Sequence, residues 1–265
     1  MNVHSLFLYP VKSLAGIQVR RFELDEFGPR GDRRWMLIDP ENQFVSQREL
    51  PVLARVATSL ENGVVTVTVP GQGVFPLQPG HEQVRVAVWR DWADALVGPD
   101  DANRALSRFC GVELRLVYMP DTSFRRVDPG RVFEHRRVGF ADGFPFLLAN
   151  LASLDELNTR LEQPVTIRRF RPNVVISGAR AWSEDSWRSL IVGQTEFEVV
   201  KPCSRCVLTT VDPDTGEKHP TLEPLRTLAR YRKTPEGVIF GQNAIHNSNG
   251  PIEVGDAVEI TREEP

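Results

Sequence analysis

The segment Gly63-Val64-Val65-Thr66-Val67-Thr68-Val69-Pro70 constrains the fold more than any other stretch. It is a β-branched run bounded by glycine on one side and proline on the other, the pattern of a strand with defined ends. Similar runs recur through the first hundred residues: Val3 to Tyr9, ended by Pro10, then Arg33 to Ile38, Arg55 to Leu60 and Val84 to Trp89. Short strands at this spacing suggest a barrel or a sandwich.

Helices are fewer. Asp100 to Cys110 is predicted as the first, capped by Asp100 or Asp101, with Ala105, Leu106 and Phe109 on one face and Gly111 as the stop. Ser153-Leu154-Asp155-Glu156 reads as a capping box opening a second helix, with Leu154, Leu157 and Leu161 as its buried stripe. A third is predicted from Leu222 to Arg230. Strands return at Asn173 to Ser177, Phe197 to Lys201, Cys206 to Val211, Val238 to Gln242 and Ala257 to Thr261. Residues 119–142 lack a period and are rich in Arg, Asp and Pro, so they read as a linker or long functional loop. A domain boundary near residue 120 gives domains 1–120 and 121–265. The expected class is mostly β with some helix, α+β.

The 265 residues suffice for one large core or two small ones. A net charge of −3, from 32 basic and 35 acidic residues, lacks the basic excess of a nucleic-acid binder. The N-terminus has no charged leader region, and no apolar run approaches the roughly 20 residues that cross a bilayer. Three cysteines, an odd count, argue against a disulfide scaffold and for a reducing compartment, so the expected location is cytoplasmic.

Two of those cysteines lie together in Lys201-Pro202-Cys203-Ser204-Arg205-Cys206. A thiolate flanked by cations is a soft-metal ligand or a nucleophile. A thioredoxin-like dithiol needs a following helix, whereas Val207-Leu208-Thr209-Thr210-Val211 reads as a strand. A structural zinc needs four ligands, and His219 and His246 do not stand at finger spacing from Cys206. Taken alone, the pair is most simply one buried and one incidental cysteine. The turn Asp212-Pro213-Asp214-Thr215-Gly216 fails as a calcium loop, because Gly216 and Glu217 stand where an oxygen ligand and a glycine are required.

Three other stretches place basic groups at strand ends. Tyr9-Pro10-Val11-Lys12-Ser13 lacks the upstream glycines of a phosphate loop. Gly31-Asp32-Arg33-Arg34-Trp35 and Arg168-Arg169-Phe170-Arg171-Pro172-Asn173 carry arginines. Each alone reads as a solvated charge cluster. Together they offer forked guanidinium groups at Arg33 and Arg171 and a point charge at Lys12, a set suited to a phosphorylated ligand.

Tyr9-Pro10-Val11-Lys12-Ser13, Asp32-Arg33-Arg34-Trp35, Phe170-Arg171-Pro172-Asn173, Glu184-Asp185-Ser186-Trp187 and the Cys203-to-Gly216 stretch, in this order, resemble the MOSC family with its N-terminal β-barrel domain. The resemblance covers nearly the whole chain. By motif it is to the amidoxime-reducing and YcbX-type reductases of that family. It implies an N-terminal β-barrel, a C-terminal MOSC β-barrel with flanking helices, and a molybdenum cofactor, a pyranopterin dithiolene with a terminal phosphate, between the two domains. It implies Cys206 as the molybdenum ligand, which suits the softness of thiolate. Lys12, Ser13, Arg33, Arg171 and Asn173 would hold the pterin and phosphate. Ser204 and Arg205 would flank the metal, and Asp142 would lie near it, with Arg205 or Asp142 handling protons. The chain departs from the family at Gly143 and Phe144, where small hydroxyl residues are frequent.

The implied activity is reduction of N-hydroxylated compounds such as amidoximes, hydroxylamines and N-hydroxylated bases. No iron–sulfur cysteines follow and no pyridoxal-phosphate domain is present, so neither cofactor is expected. The expected electron donor is a separate protein of flavin reductase, ferredoxin or cytochrome b5 type. Two rival readings are a carrier of molybdenum cofactor or sulfur without turnover, and a β-rich binding module with a structural Cys-x-x-Cys. No nucleic acid and no membrane span are expected.

Overall fold

The structure, a computed structural model, describes residues 1–264. Strands dominate and helices are few, so the fold is α+β, as the residue pattern suggests. The largest sheet has nine strands. Its path runs Ile17–Val19, Asn2–Leu8, Val174–Ser177, Phe146–Asn150, Gly237–His246, Thr195–Ser204, Trp187–Val192 and Val258–Glu263, with Lys233–Thr234 paired to the side. Its two ends curl toward each other, because Asn2 bridges to Ala257 and Met1 O accepts from Val258 N at 2.8 Å. One pair in it is parallel, Phe146–Asn150 with Val174–Ser177. Between these two strands the chain passes through the helix Leu151–Asn158, because a parallel pair requires a crossover.

The N-terminal strand thus lies inside a sheet built mainly from the second half of the chain. Val3, Leu6 and Leu8 face a core with Phe146, Leu148, Val174, Ile176, Trp187 and Phe197. Each such side chain contributes roughly 1.5–3 kcal/mol on burial.

The first half adds a four-stranded sheet, Gln83–Val88, Asp91–Val97, Arg115–Tyr118 and Trp35–Ile38, and a three-stranded one, Ala57–Glu61, Val64–Val69 and Gly73–Leu77. Val65, Val67 and Val69 are buried while Val64 and Thr68 are exposed, the period-2 alternation of a one-faced strand. The helix Asp100–Cys110 has the predicted bounds. Ala102, Ala105 and Leu106 are buried, and Gly111 closes it in the left-handed region (φ 72°). Its cap is Pro99, with no side-chain cap bond, rather than either aspartate.

Three expectations are corrected. The helix expected at Ser153 begins at Leu151 and is capped by Asn150, whose Oδ1 accepts from Ala152 N at 3.1 Å. Ser153 lies inside it, and its hydroxyl donates to Glu184. The strand expected at Cys206 to Val211 is a short 3₁₀ turn, Val207–Thr210. The threonines decide this: Thr209 Oγ1 and Thr210 Oγ1 bond back to Cys206 O (2.9 Å) and Val207 O (2.7 Å). Such local bonds compete with a ladder and favour the tight turn. The third helix runs Leu225–Tyr231 instead of starting at Leu222.

Segment 119–142 contains no helix or strand, yet it is packed. Val127, Val132, Val138 and Ala141 form a cluster with Ile245. The buried Arg125 guanidinium ties it down, bonding Gly139 O, Ala141 O and Asp142 O.

Candidate functional site

Lys12 follows the strand Asn2–Leu8 where the chain turns from one sheet toward the other. Pro10 cannot extend the ladder, and Lys12 N instead donates to Trp35 O at 2.8 Å. Gly139 lets segment 119–142 approach this corner. A Cβ there would lie 2.8 Å from Arg33 O, a contact side chains do not tolerate. Phe140 N consequently reaches Arg33 O at 2.7 Å. Lys12 Nζ donates to Phe140 O at 2.8 Å and to Asp142 Oδ1 at 2.5 Å.

Arg33 and Arg171 both lie against Tyr9, their guanidinium carbons 4.6 and 4.2 Å from its ring centroid. The ring is buried and makes a cation–π contact with both guanidinium groups. Arg33 bonds Asp32 Oδ2 (2.5 Å), Asn173 Oδ1 (3.2 Å) and Arg171 O (3.2 Å). Asn173 is fully buried, and its amide also donates to Asp32 and Phe7 O, so it braces Arg33 from behind. Ser13, Arg33 and Arg171 all take left-handed φ, at 69°, 48° and 56°. Each such residue costs roughly 1–3 kcal/mol, and such strain concentrates at functional sites.

Cys206 is exposed and follows the long strand Thr195–Ser204. Its Sγ accepts from Arg48 Nε at 3.3 Å. Arg205 turns the other way, donating to Cys203 Sγ (2.8 Å) and Phe170 O (2.7 Å). Ser204 Oγ donates to Glu236 O.

All nine residues named from the sequence, Lys12, Ser13, Arg33, Asp142, Arg171, Asn173, Ser204, Arg205 and Cys206, line one cleft between the two halves of the chain. Cys203 joins them. The sequence reading missed Arg48, which lines the cleft, and Trp89, whose indole donates to Asp142. Arg48 lies in Ser46-Gln47-Arg48-Glu49, which carries no strand-end or motif signal. Trp89, expected to end a strand, sits in the turn after it.

The cleft is electropositive: Lys12, Arg33, Arg48, Arg171 and Arg205 face one carboxylate, Asp142. Burial pushes the Lys12 ammonium down to about 8, although Asp142 resists this. Burial likewise lowers the Arg171 guanidinium to about 10, and neighbouring Arg33 adds to the shift. Desolvation disfavours the Asp142 carboxylate, but Lys12 first and then Arg48 and Trp89 outweigh that and hold its carboxyl well below the usual range. Its side chain is 62% exposed, so water shares in screening this charge.

Arg171 Nη2 and Arg205 Nε are buried without a hydrogen-bond partner. An unmet buried donor costs roughly 1–3 kcal/mol, more when charged. An anion in the cleft would supply what these atoms lack. Among the described residues no cluster of three or more His, Cys, Asp or Glu could hold a metal ion unaided. One exposed cysteine sulfur beside an anion cradle instead suits a metal that arrives with its own sulfur ligands and a phosphate. The residues present fit a molybdenum cofactor.

Comparison with known proteins finds relatives that match nearly the whole chain. The chain is 35% identical over 285 residues to mitochondrial amidoxime-reducing component 1 of Mus musculus, covering 98% of this chain and 82% of that one. It is 34% identical over 281 residues to the Homo sapiens protein of the same name, with the same coverage. It is 32% identical to mitochondrial amidoxime reducing component 2 of Rattus norvegicus, covering 97% and 82%. The MOSC N-terminal beta barrel domain matches residues 1–113 and the MOSC domain matches residues 135–259. With matches on both sides of a cleft built from the two, the chain belongs to the MOSC family.

Proposed function

We propose that this protein is a molybdenum-cofactor-dependent reductase of N-hydroxylated compounds, supplied with electrons by a separate redox protein and working in the cytoplasm. The observation that carries the reading is the pairing, in one cleft, of an exposed Cys206 thiol with two buried guanidinium N–H groups that lack a partner. The names of the relatives support the reaction type. Its free cysteines suit a reducing compartment, and among the described residues no helix is long and apolar enough to cross a membrane.

Cys206 would hold the metal; Lys12, Ser13, Arg33 and Arg171 would grip the pterin and phosphate. When bound, the cofactor supplies two-electron oxygen-atom chemistry. The protein's own groups do the rest. Arg33 is fixed by Asp32 and Asn173, so its fork is preorganised. Asp142, anionic at neutral pH, faces the cleft and can accept a hydrogen bond from a substrate N–H. Arg48 sits beside the sulfur and can donate to a substrate oxygen. Overall, two electrons and two protons convert N–OH to N–H and water.

The test is molybdenum per chain in protein made by cofactor-competent cells, with turnover of an amidoxime by reduced viologen. A carrier would bind molybdenum and leave the dye reduced. Stoichiometric zinc in place of molybdenum would remove both readings.

A further inference from the structure

Trp89 stands where the backbone asks for a different residue. Val88 and Asp91 are the last paired residues of two antiparallel strands, so Trp89 and Arg90 form a two-residue turn. Trp89 has φ 60°, a left-handed value that such hairpins fill with glycine, asparagine or aspartate. A bulky aromatic at positive φ is a backbone outlier. Burial does not offset the strain, because the side chain remains 50% exposed. A broken local rule without a packing gain points to function.

Its contacts show which function. The indole Nε1 donates to Asp142 Oδ1 at 3.1 Å. The Arg48 guanidinium stacks on the ring, 4.4 Å from its centroid, and Phe44 packs at 4.9 Å. Arg48 also contacts Cys206 Sγ at 3.3 Å and Asp142 Oδ2 at 3.5 Å. One side chain from the N-terminal half thus touches Arg48, which contacts the cysteine, and Asp142, which Arg48 also contacts.

We propose that Trp89 is a positioning residue for the reductase: from the N-terminal half it fixes Asp142 and Arg48 relative to Cys206. The inference rests on the reductase reading above. Arg and Asp are flexible, partly hydrated groups, and the indole removes rotamers that would carry them away from the cleft. The cofactor's phosphate grip lies elsewhere, at Arg33 and Arg171, so Trp89 governs turnover rather than loading.

The experiment compares Trp89→Gly, Trp89→Ala, Trp89→Phe and Asp142→Ala in the loaded enzyme. Molybdenum per chain, melting temperature and kcat/KM for benzamidoxime with reduced viologen are measured for each. Molybdenum content should stay at the wild-type level in the three Trp89 variants. The glycine variant should melt about 2–4 °C above the alanine variant, since only glycine is relaxed at this φ. Both should nonetheless lose tenfold or more in kcat/KM. Trp89→Phe keeps a ring under Arg48 without the N–H, so its loss should be smaller. That loss should vanish in an Asp142→Ala background, because the two residues act as one unit. A glycine variant within twofold of wild type, losses that follow melting temperature, or additive losses with Asp142→Ala would overturn the inference. A wild type that holds no molybdenum or fails to turn over sinks the reductase reading and this inference together. An active wild type with an indifferent Trp89 sinks the inference alone.

Discussion

Arg48 Nε meets Cys206 Sγ at 3.3 Å, joining residues 158 positions apart in sequence. The contact places a charge donor from the N-terminal half directly on the one exposed cysteine of the C-terminal half. It also separates the roles of the two cleft cysteines, because Cys203 is held instead by Arg205.

Substitution of the two cysteines should therefore have unequal effects. Cys206→Ser is expected to abolish turnover and strip molybdenum, whereas Cys203→Ser keeps both in large part. Metal analysis and turnover of the two variants decide the matter. Equal losses would point to a dithiol site instead.

Arg171 offers a test that splits binding from stability. Arg171→Ala should weaken cofactor retention by roughly 1.5–3 kcal/mol, or about tenfold to a hundredfold, through a lost charge-assisted contact. In cofactor-free protein the same change removes a buried cation with one unmet N–H and leaves the left-handed φ strain in place. Its melting temperature should consequently fall by less than its cofactor affinity suggests. Unchanged molybdenum content would take Arg171 out of the site.

Lys12 makes anion binding pH-dependent. Its folded value, about 8, lies below its ordinary 10.5. The unfolded chain therefore binds more protons between those values, so the group's burden on stability is full below pH 8 and lifts as pH rises toward 10.5. Binding runs the other way: affinity for inorganic phosphate, measured by calorimetry on cofactor-free protein, should fall as pH passes about 8. Lys12→Met should flatten the curve. Asp142→Asn should move the inflection lower, since Asp142 is what keeps the ammonium charged.

Glu184 provides a stability prediction away from the cleft. It is fully buried, accepts from Asn150 Nδ2 and Ser153 Oγ at 2.8 Å each, and leaves Oε1 without a partner. Burial raises its carboxyl above the usual value. A raised folded value means stability present at low pH is lost as pH climbs through it. Glu184→Gln removes that loss and should raise the melting temperature at pH 7 while leaving it little changed at pH 4. A lower melting temperature at pH 7 would contradict this account.

Much of the fold was readable because local signals agreed with tertiary packing. Val64 to Val69 alternates in sequence and in burial, and Gly111 ends its helix in the conformation glycine favours. The reading failed where side chains bond their own backbone. Thr209 and Thr210 look like strand residues, yet their hydroxyls close a turn. The serine of an apparent capping box was drawn inward by Glu184, a partner that no short window contains.

The site divides in the same way. Lys12, Arg33, Arg171 and Cys206 lie in motifs that a resemblance can carry. Arg48 and Trp89 belong to none, and their relevance comes from contacts across long stretches of chain. One local clue was present in retrospect: Trp89 occupies a hairpin turn between β-patterned runs, where a turn-forming residue was due.

The placement of Asn2–Leu8 has a practical consequence. The first strand of the N-terminal family region is a central rung of the sheet that the MOSC region builds, hydrogen-bonded to Val174–Ser177 on one side and Ile17–Val19 on the other. A fragment beginning at the MOSC region would expose the unpaired edge of Val174–Ser177, and a fragment ending before it would leave an apolar strand with no sheet to join. The two regions match separate family models but share one sheet. Mixing the halves from different relatives would require the opening nineteen residues to travel with the second half.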